Sequence, residues 1–353
     1  MKQDSGHVKN PYADMLLGAP REGGFRMEDY YIWCGSVIRA EEDGRYHMFA
    51  SRWEQRYGFG HNWLYRSEIV RAVSDTPTGP FTYAETVLPA RDPACFDGRN
   101  THNPMIRYHD GTYYLYYMGT TYEHEPPTGE ALYDGALAER VWNKKRIGLA
   151  TAPSIYGPWT RRDMPLLEPR EAPAWDCTVT TNPAVAILPD GTTYMLYKSR
   201  ACAGGKLQIG VARASRPDGP FERLSDEPIL RFPHPDFHVE DPYLWYEGDR
   251  FHLIIKDDFK NGCGGVTGVW GSGFYAESED CIHWTVADDP IVYTRRIRWE
   301  DGEESNMPNA ERPFLLIEDG RPVCLYLATG KGDAPYALER SWNQAIPCQW
   351  SDR

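Results

Sequence analysis

Residues 239–255 read VEDPYLWYEGDRFHLII, and this stretch decides the fold because its plan recurs along the chain. The plan is a polar pair, a proline, an apolar run, an acidic residue with a glycine, and a second apolar or aromatic run. Two such runs joined at an acidic-glycine turn predict a β-hairpin. The other copies are THNPMIRYHDGTYYLYY at 101–117, TTNPAVAILPDGTTYMLY at 180–197, NAERPFLLIEDGRPVCLY at 309–326 and WCGSVIRAEEDGRYHMF at 33–49, which has Gly35 in place of the proline.

A second pattern follows each of the first four hairpins and ends in an aromatic residue. Its copies are SEIVRAVSDTPTGPF at 67–81, RIGLATAPSIYGPW at 146–159, LQIGVARASRPDGPF at 207–221 and the looser GSGFYAESEDCIHW at 271–284. It predicts a third strand, a turn and a short outer strand. Four strands that recur at intervals of roughly 60 to 80 residues are typical of a β-propeller. We therefore predict an all-β fold, a five-bladed β-propeller of four-stranded antiparallel blades around a central channel.

The repeats also predict the domain organisation. No linker rich in Ser, Pro or Gly interrupts them, so we expect a single domain over residues 1–353, with blades starting near residues 30, 97, 176, 236 and 306. The last repeat lacks the Gly-Pro-aromatic ending, and an open ring would leave two unpaired strand edges. An N-terminal segment within residues 1–26 is therefore expected to close the ring.

Composition and charge limit the partners. The net charge of −13 and the pI near 5.3 argue against nucleic acid and anionic membrane surfaces, which require clustered Lys and Arg. No apolar run approaches the length that spans a bilayer, so we expect a protein that is cytoplasmic, or exported with its signal peptide absent from this sequence. The eight cysteines form no CxxC pair, so neither a zinc site nor a disulfide framework is expected. The 12 Trp and 23 Tyr suit sugar stacking and an all-β core equally well.

The candidate site follows from the propeller geometry. The first strand of each blade lines the channel, so the residues entering these strands converge. These pairs are Trp33-Cys34, His102-Asn103, Thr181-Asn182, Glu240-Asp241 and Glu311-Arg312. Their chemistry varies while the scaffold around them stays constant, which is typical of function grafted onto a repeat. The adjacent carboxylates Glu240 and Asp241 are therefore expected at a channel mouth.

Other polar residues are also expected near this channel mouth. Asp97 and Asp176 stand seven positions before a repeat proline, and Asp29 stands six positions before Gly35; each either caps a turn or contributes to an acidic site. Inner-strand and pair positions also suit contacts with sugar hydroxyls and rings. The expected substrate-binding residues are Trp33, Arg52, His102, Asn103, Lys198, His238, Asp241, Glu311 and Arg312.

The five hairpins, the Gly-Pro-Phe/Trp endings and the stretch YGPWTRRDMPLLEPREAPAWD at 156–176 resemble the five-bladed-propeller glycoside hydrolases, similar to families 43 and 117 and their relatives. The resemblance covers roughly residues 25 to 330. It implies hydrolysis with inversion at the anomeric carbon. Such enzymes use a general-base Asp from blade one, a pKa-tuning Asp from blade three and a general acid from blade four.

The catalytic residues that the resemblance implies match this chain unevenly. Glu240 stands two before Pro242, the position of the general acid, and His238 remains an alternative acid. Asn182 occupies the place of the blade-three Asp, which leaves Asp176 as the nearest substitute. Cys34 occupies the place of the blade-one base, so Asp29 or Asp97 would have to act instead.

The expected function is an exo-acting glycoside hydrolase that releases a terminal sugar from a plant or algal oligosaccharide. An inverting pair of carboxyl groups stands about 6.5 to 9.5 Å apart to hold a water. No cofactor is required and no metal motif occurs, although the channel would allow a structural cation. One alternative is a non-catalytic carbohydrate-binding or interaction propeller, which the missing blade-one Asp favours. Another is a glycoside phosphorylase, which needs a cationic phosphate site.

Overall fold

The structure is a computed structural model that describes residues 7–350, and its regular elements are almost all β-strands. The strands of blades one and two are β1 (Tyr30–Arg39), β2 (Tyr46–Glu54), β3 (Glu68–Ser74), β4 (Thr82–Leu88), β5 (Asn100–His109), β6 (Thr112–Thr120), β7 (Arg146–Ala152) and β8 (Thr160–Arg161). Those of blades three and four are β9 (Thr181–Ile187), β10 (Thr193–Ser199), β11 (Gln208–Ala214), β12 (Glu222–Arg223), β13 (Val239–Glu247), β14 (Arg250–Asp257), β15 (Gly273–Ser278) and β16 (Thr285–Tyr293). A small hairpin of β17 (Arg296–Arg298) and β18 (Glu304–Asn306) precedes blade five, which contains β19 (Ala310–Glu318), β20 (Arg321–Ala334) and β21 (Ala337–Pro347).

The blades form a closed ring. Each blade is an antiparallel meander, and the first strands contact one another all the way round: β1 with β5, β5 with β9, β9 with β13, β13 with β19 and β19 with β1. The prediction of a five-bladed propeller is therefore confirmed. The acidic-glycine turns are confirmed as well. In three of them, Asp110-Gly111, Gly248-Asp249 and Asp319-Gly320, both residues have positive φ, as the tight hairpin turn requires.

Each first strand contains a β-bulge at the predicted pair. The strand register shifts between Trp33 and Ser36, and equivalent shifts follow His102, Glu240 and Glu311. Blade three shifts in the same way after Thr181. A bulge leaves an extra residue out of the ladder and turns its side chain away from the sheet faces. The sequence plan of a polar pair before proline is thus the signature of this bulge.

Two long loops carry the only α-helices among residues 7–350. Helix α1 (Asn62–Arg66) follows β2, and helix α2 (Gly135–Trp142) follows β6. The Asp134 carboxylate caps α2 by accepting from the backbone N–H groups of residues 136 and 137. The two helices pack on each other through an apolar cluster, which brings Trp63 and Trp142 together beside the channel.

The N-terminal segment contacts both edges where blades five and one meet. Phe25 exchanges backbone hydrogen bonds with Asn343 of β21, and the Gly24 carbonyl accepts from the N–H of Phe81, just before β4. Phe25 is fully buried. We propose that this segment holds the ring closed; residues 1–6 of the segment expected from sequence lie outside the described residues. Within the described chain, no helix has both the length and the apolar character needed to cross a bilayer.

Candidate active site

A cavity of about 210 Å³ lies where the five bulges meet at one end of the channel. Its aromatic walls are Trp33, Trp53, Phe59, Trp63, Trp142 and Tyr336. Its polar lining consists of His102, Asn103, Lys145, Asn182, Lys198, Glu240, Asp241, Glu311 and Arg312. The combination of ring-shaped apolar surfaces with a few converging polar groups is typical of a small-molecule site.

A chain of side-chain hydrogen bonds runs across the five blades at the base of this cavity. The Cys34 thiol donates to Asn103 Oδ1 (2.8 Å), and Asn103 Nδ2 donates to Asn182 Oδ1 (2.8 Å). Asn182 Nδ2 donates to Asp241 Oδ1 (2.8 Å), which also accepts from the Arg312 guanidinium (2.9 Å). All five residues are the bulged members of their pairs, and all have φ between 52° and 58°. Non-glycine residues in this region carry strain, and such strain is characteristic of functional sites.

Cys34 is buried in this chain of hydrogen bonds. Burial raises the pKa of its thiol to about 12, despite the nearby positive charge of Arg312. A thiol that stays protonated is neither a general base nor an activated nucleophile. The structure therefore places no proton acceptor at the position where the resemblance expects the blade-one base.

Glu240 lies in the cavity between two lysines. Lys198 Nζ is 2.6 Å from Glu240 Oε2, and Lys256 Nζ is 3.2 Å from Glu240 Oε1. Burial by itself would raise the pKa of Glu240, but the two ammonium groups outweigh it and hold the pKa well below its usual range. Glu240 is thus an ionised carboxylate before any substrate binds.

Glu311 faces the same lysine from the next blade. Its Oε1 accepts from Lys256 Nζ (2.6 Å), Tyr336 OH (2.6 Å) and Asn309 Nδ2 (3.0 Å). Among the described residues, none donates to Oε2, which is therefore available to carry a proton. Burial raises the pKa of Glu311; Lys256 opposes the rise, while the charges of Asp241 and Glu240 add to it, and the pKa lies above its usual range.

The two glutamates are close neighbours. Because Lys256 Nζ contacts Oε1 of both glutamates, those two oxygens lie within about 6 Å of each other. The carboxyl groups of a retaining pair stand about 5 to 5.5 Å apart and those of an inverting pair about 6.5 to 9.5 Å apart, so contact through one lysine favours the closer spacing. Two carboxyl groups whose pKa values are shifted in opposite directions are also what acid catalysis with a nucleophile requires.

His102 contributes a neutral ring to the cavity. Its Nδ1 is 2.7 Å from Ser67 Oγ, and its ring lies between the indoles of Trp53 and Trp63, at centroid distances of 5.8 and 5.0 Å. Burial lowers the pKa of His102 well below its usual value, and the charges of Arg312, Lys145 and Lys198 lower it further. A neutral imidazole here can exchange hydrogen bonds with a sugar hydroxyl.

Asp97 and Asp176 do not line the cavity. Both are fully buried, and each accepts from the hydroxyl of the inner tyrosine of its own blade, Tyr117 at 2.7 Å and Tyr197 at 2.8 Å. Each carboxylate also pairs with two arginines, one from the connection before the blade and one from its short outer strand: Arg91 and Arg161 with Asp97, Arg170 and Arg223 with Asp176. The identical arrangement in two blades indicates a repeated structural brace, so neither carboxylate enters the mechanism below.

The other expected residues divide between the cavity and its surroundings. Trp33, His102, Asn103, Lys198, Asp241, Glu311 and Arg312 line it together with Glu240. Asp29 instead lines a separate cleft beside β20 and β21, and Arg52 of β2 donates to Glu68 on β3 and Thr86 on β4. His238 lies outside the lining, where its Nδ1 accepts from the backbone N–H of Leu207. Burial lowers the pKa of His238, which leaves it poorly suited as the acid.

Sequence reasoning missed the loop residues that cover the cavity. Trp63, Trp142 and Lys145 come from the loops that contain α1 and α2, and Tyr336 comes from the tip of the β20–β21 hairpin. The available signal was length, and only in blade two: 25 residues separate its second and third strands, against 13, 8 and 15 in blades one, three and four. Long loops on a regular scaffold commonly carry function.

No cluster of three or more His, Cys, Asp or Glu within residues 7–350 is arranged to hold a metal ion. The positive charge beside Asp241 comes from the Arg312 guanidinium. All eight cysteines are free thiols.

The fold and site together define a five-bladed propeller with a buried glutamate, Glu311, and a partly buried one, Glu240, at one channel mouth. No protein-family model matches the chain, and no curated protein matches it in sequence. Solved structures match it in fold. Zg3597, a family 117 glycoside hydrolase produced by the marine bacterium Zobellia galactanivorans, superposes with a TM-score of 0.63 at 16% identity, over 96% of this chain and 89% of that one.

Two further structures match over similar lengths. A thermostable family-43 glycoside hydrolase gives a TM-score of 0.60 at 14% identity, over 95% of this chain and 94% of the other. An alpha-L-arabinofuranosidase from Lactobacillus brevis gives a TM-score of 0.58 at 13% identity, over 95% of this chain and 94% of the other. At these identities the likeness establishes the shared fold.

Proposed function

We propose that this protein is a glycoside hydrolase that removes a terminal sugar from a plant or algal oligosaccharide, with Glu240 and Glu311 as its pair of catalytic carboxyl groups. The observation that carries the proposal is that these two glutamates line one aromatic-walled cavity and are both ion-paired with Lys256. Two of the similar structures are named as glycoside hydrolases, which agrees with this assignment.

The size of the cavity supports action at a chain end. Its volume of about 210 Å³ is below the roughly 300 Å³ at which pockets for drug-sized ligands begin, so it suits one sugar ring better than a chain. Trp33, Trp63 and Trp142 provide flat faces on which that ring can stack. His102 and Asn103 can hydrogen-bond its hydroxyls.

The proposed reaction proceeds in two displacements. The Glu240 carboxylate attacks the anomeric carbon while the glycosidic bond breaks, and the Glu311 proton passes to the departing oxygen. A water then gives a proton to Glu311 and attacks the anomeric carbon, which releases Glu240. The sequence resemblance implies inversion with Glu240 as the acid; the spacing and the opposed pKa shifts favour retention with Glu311 as the acid.

The test compares two isosteric variants on two kinds of substrate. In Glu311→Gln, hydrolysis of natural glycosides should fall roughly 10²- to 10⁴-fold, the usual contribution of a general acid. Aryl glycosides with very good leaving groups need little protonation, so their cleavage should fall much less. Glu240→Gln removes the nucleophile and should abolish cleavage of both kinds alike.

Proton NMR of the first-formed product provides the second readout of the same experiment. Retention of anomeric configuration agrees with the two-displacement mechanism, whereas inversion contradicts it. If the leaving-group pattern is found in Glu240→Gln instead, then the acid is Glu240. Wild-type protein that cleaves no glycoside in a broad panel would leave the non-catalytic sugar-binding propeller as the better assignment.

A further inference from the structure

Within the described part of the chain, Lys145 is the charged residue of the cavity that lacks an ionic partner. The three carboxylates of the lining are each paired, Glu240 with Lys198, Glu311 with Lys256 and Asp241 with Arg312. Among the described residues, by contrast, Lys145 Nζ makes no hydrogen bond or ion pair, and its contacts are with the rings of Trp142 and Trp63. The side chain is nonetheless 1% exposed and lines the cavity.

Aromatic rings hold this ammonium in place. Lys145 Nζ lies 3.5 Å from the ring centroid of Trp142 and 5.5 Å from that of Trp63. The guanidinium of Arg200 stacks on the same indole, 3.6 Å from the ring centroid. Unlike Lys145, it forms an ion pair with Glu139 and donates a hydrogen bond to Asn143 Oδ1. Cation–π contacts stabilise a cation only modestly compared with a carboxylate partner.

The charge is therefore costly in the protein alone. Burial lowers the pKa of Lys145 well below its usual value, and the positive charges of Lys198 and Arg200 lower it further, while Glu240 and Glu139 oppose the shift. A buried amine with a strongly lowered pKa in a cavity is a candidate binding group, and an anion that binds beside it would favour its protonated form. The side chain is oriented into the cavity where the proposed terminal sugar would lie.

We propose that the terminal sugar is anionic, carrying a carboxylate or a sulfate, and that Lys145 binds this group against the walls formed by Trp63 and Trp142. The inference rests on the proposed glycosidase function, because the anion belongs to the sugar that Glu240 and Glu311 would process. Lys198 and Lys256 are committed to the two glutamates, so Lys145 is the cation that remains for the substrate.

Binding of sugar monomers tests the inference without requiring turnover. By titration calorimetry, wild-type protein should bind D-glucuronate, D-galacturonate or D-galactose 6-sulfate at least roughly 10-fold more tightly than neutral glucose and galactose, as one charge-assisted hydrogen bond provides. The uronates and the sulfated sugar separate the two sources of charge. Lys145→Met should remove the preference while leaving neutral sugars bound as before, and Lys145→Arg should retain part of it.

The exposed neighbour Lys144 provides the matched control, since Lys144→Met removes one positive charge outside the cavity and should keep the preference intact. Equal binding of charged and neutral sugars by the wild type overturns the inference, as does a parallel loss of both in Lys145→Met. Two further results would also overturn the inference: inorganic sulfate or phosphate that binds as tightly as the charged sugars, and phosphate that accelerates cleavage. Either result would indicate that Lys145 binds a free anion.

The two proposals fail separately. Hydrolysis confined to neutral glycosides would remove the anionic substrate and leave the glycosidase assignment standing. Tight binding of sugar anions without cleavage of any matching glycoside would remove the glycosidase assignment and leave the role of Lys145 in binding.

Discussion

At the scale of single residues, the chemistry of this site depends on how cations are distributed among the cavity's carboxylates. Glu240 accepts from both Lys198 and Lys256, whereas Glu311 accepts from one ammonium, that of Lys256, and from the neutral donors Tyr336 and Asn309. The pKa values of two chemically identical glutamates are thereby shifted in opposite directions. This separation is the basis for assigning the acid and the nucleophile.

The separation predicts a bell-shaped dependence of kcat/KM on pH. As pH falls, activity is lost when Glu240 takes up a proton, and its lowered pKa places this limb below the usual range of a glutamate. As pH rises, activity is lost when Glu311 releases its proton, and its raised pKa places this limb above that range. In Lys198→Met the pKa of Glu240 should rise, so the acidic limb moves to higher pH while the basic limb stays nearly in place.

The profile is measured with an activated aryl glycoside, and circular dichroism confirms that the variant is folded. Lys144→Met serves as the control because its ammonium is exposed to solvent outside the cavity. An acidic limb that does not move in Lys198→Met would show that another group sets it.

At the scale of elements, a β-bulge near the start of the first strand of each blade brings the side chains of the repeated hairpins together at the cavity. Four repeats place a proline directly after the bulged residue, and blade one places Gly35 there. The N–H of Gly35 donates to Asn343 Oδ1 at 3.0 Å, a bond that proline could not make. The departure from the repeat in blade one thus follows from its contact with β21 of blade five.

Gly35→Ala should destabilise the protein. The added Cβ would lie 2.8 Å from the side chain of Asn343 and 2.9 Å from Met48 Sδ, so packed groups must shift. Overpacking of this kind costs about 1 to 3 kcal/mol in the free energy of unfolding, which urea titration would measure. Gly135→Ala, whose Cβ would meet nothing within 4 Å, should change stability by less than about 0.5 kcal/mol. Equal stability of the two variants would contradict the close packing inferred at Gly35.

At the scale of the whole molecule, a propeller is stable only when its last blade meets its first. Here blade five has three strands, and the backbone of Phe25 joins β21 while Gly24 joins the start of the outer strand of blade one. We propose that this junction also keeps the first strands in the ring around the cavity.

Phe25→Ala tests the closure. Truncating a fully buried phenylalanine costs about 3 to 5 kcal/mol, and here the loss should fall on the junction that keeps the ring shut. Thermal unfolding should shift to clearly lower temperature, with activity lost before global unfolding as the cavity opens. Tyr133→Ala, at a side chain that is 71% exposed, is the control for removing an aromatic ring. Loss of activity only together with global unfolding would argue that the junction does not open independently.

The sequence by itself determined the architecture and the place of the site. Hairpin periodicity, acidic-glycine turns and the proline after four of the five pairs are local features that can be read along the chain. Repeated five times, they predict a propeller, in which neighbouring repeats bury each other's apolar strands. Because the pairs start the inner strands, the repeat pattern alone was enough to place Glu240, Asp241, Glu311 and Arg312 together at the channel.

Only the tertiary structure decided what each residue can do there. The partners that set protonation come from other blades, as with Lys198 and Lys256 around Glu240, or from loops without a repeat, as with Trp142 around Lys145. Asp97 and Asp176 carry the same type of side chain as a catalytic acid, yet arginines and a tyrosine hold them inside their blades. The energy of a buried charge depends on the distance to its partner in space, and no spacing along the chain encodes that distance.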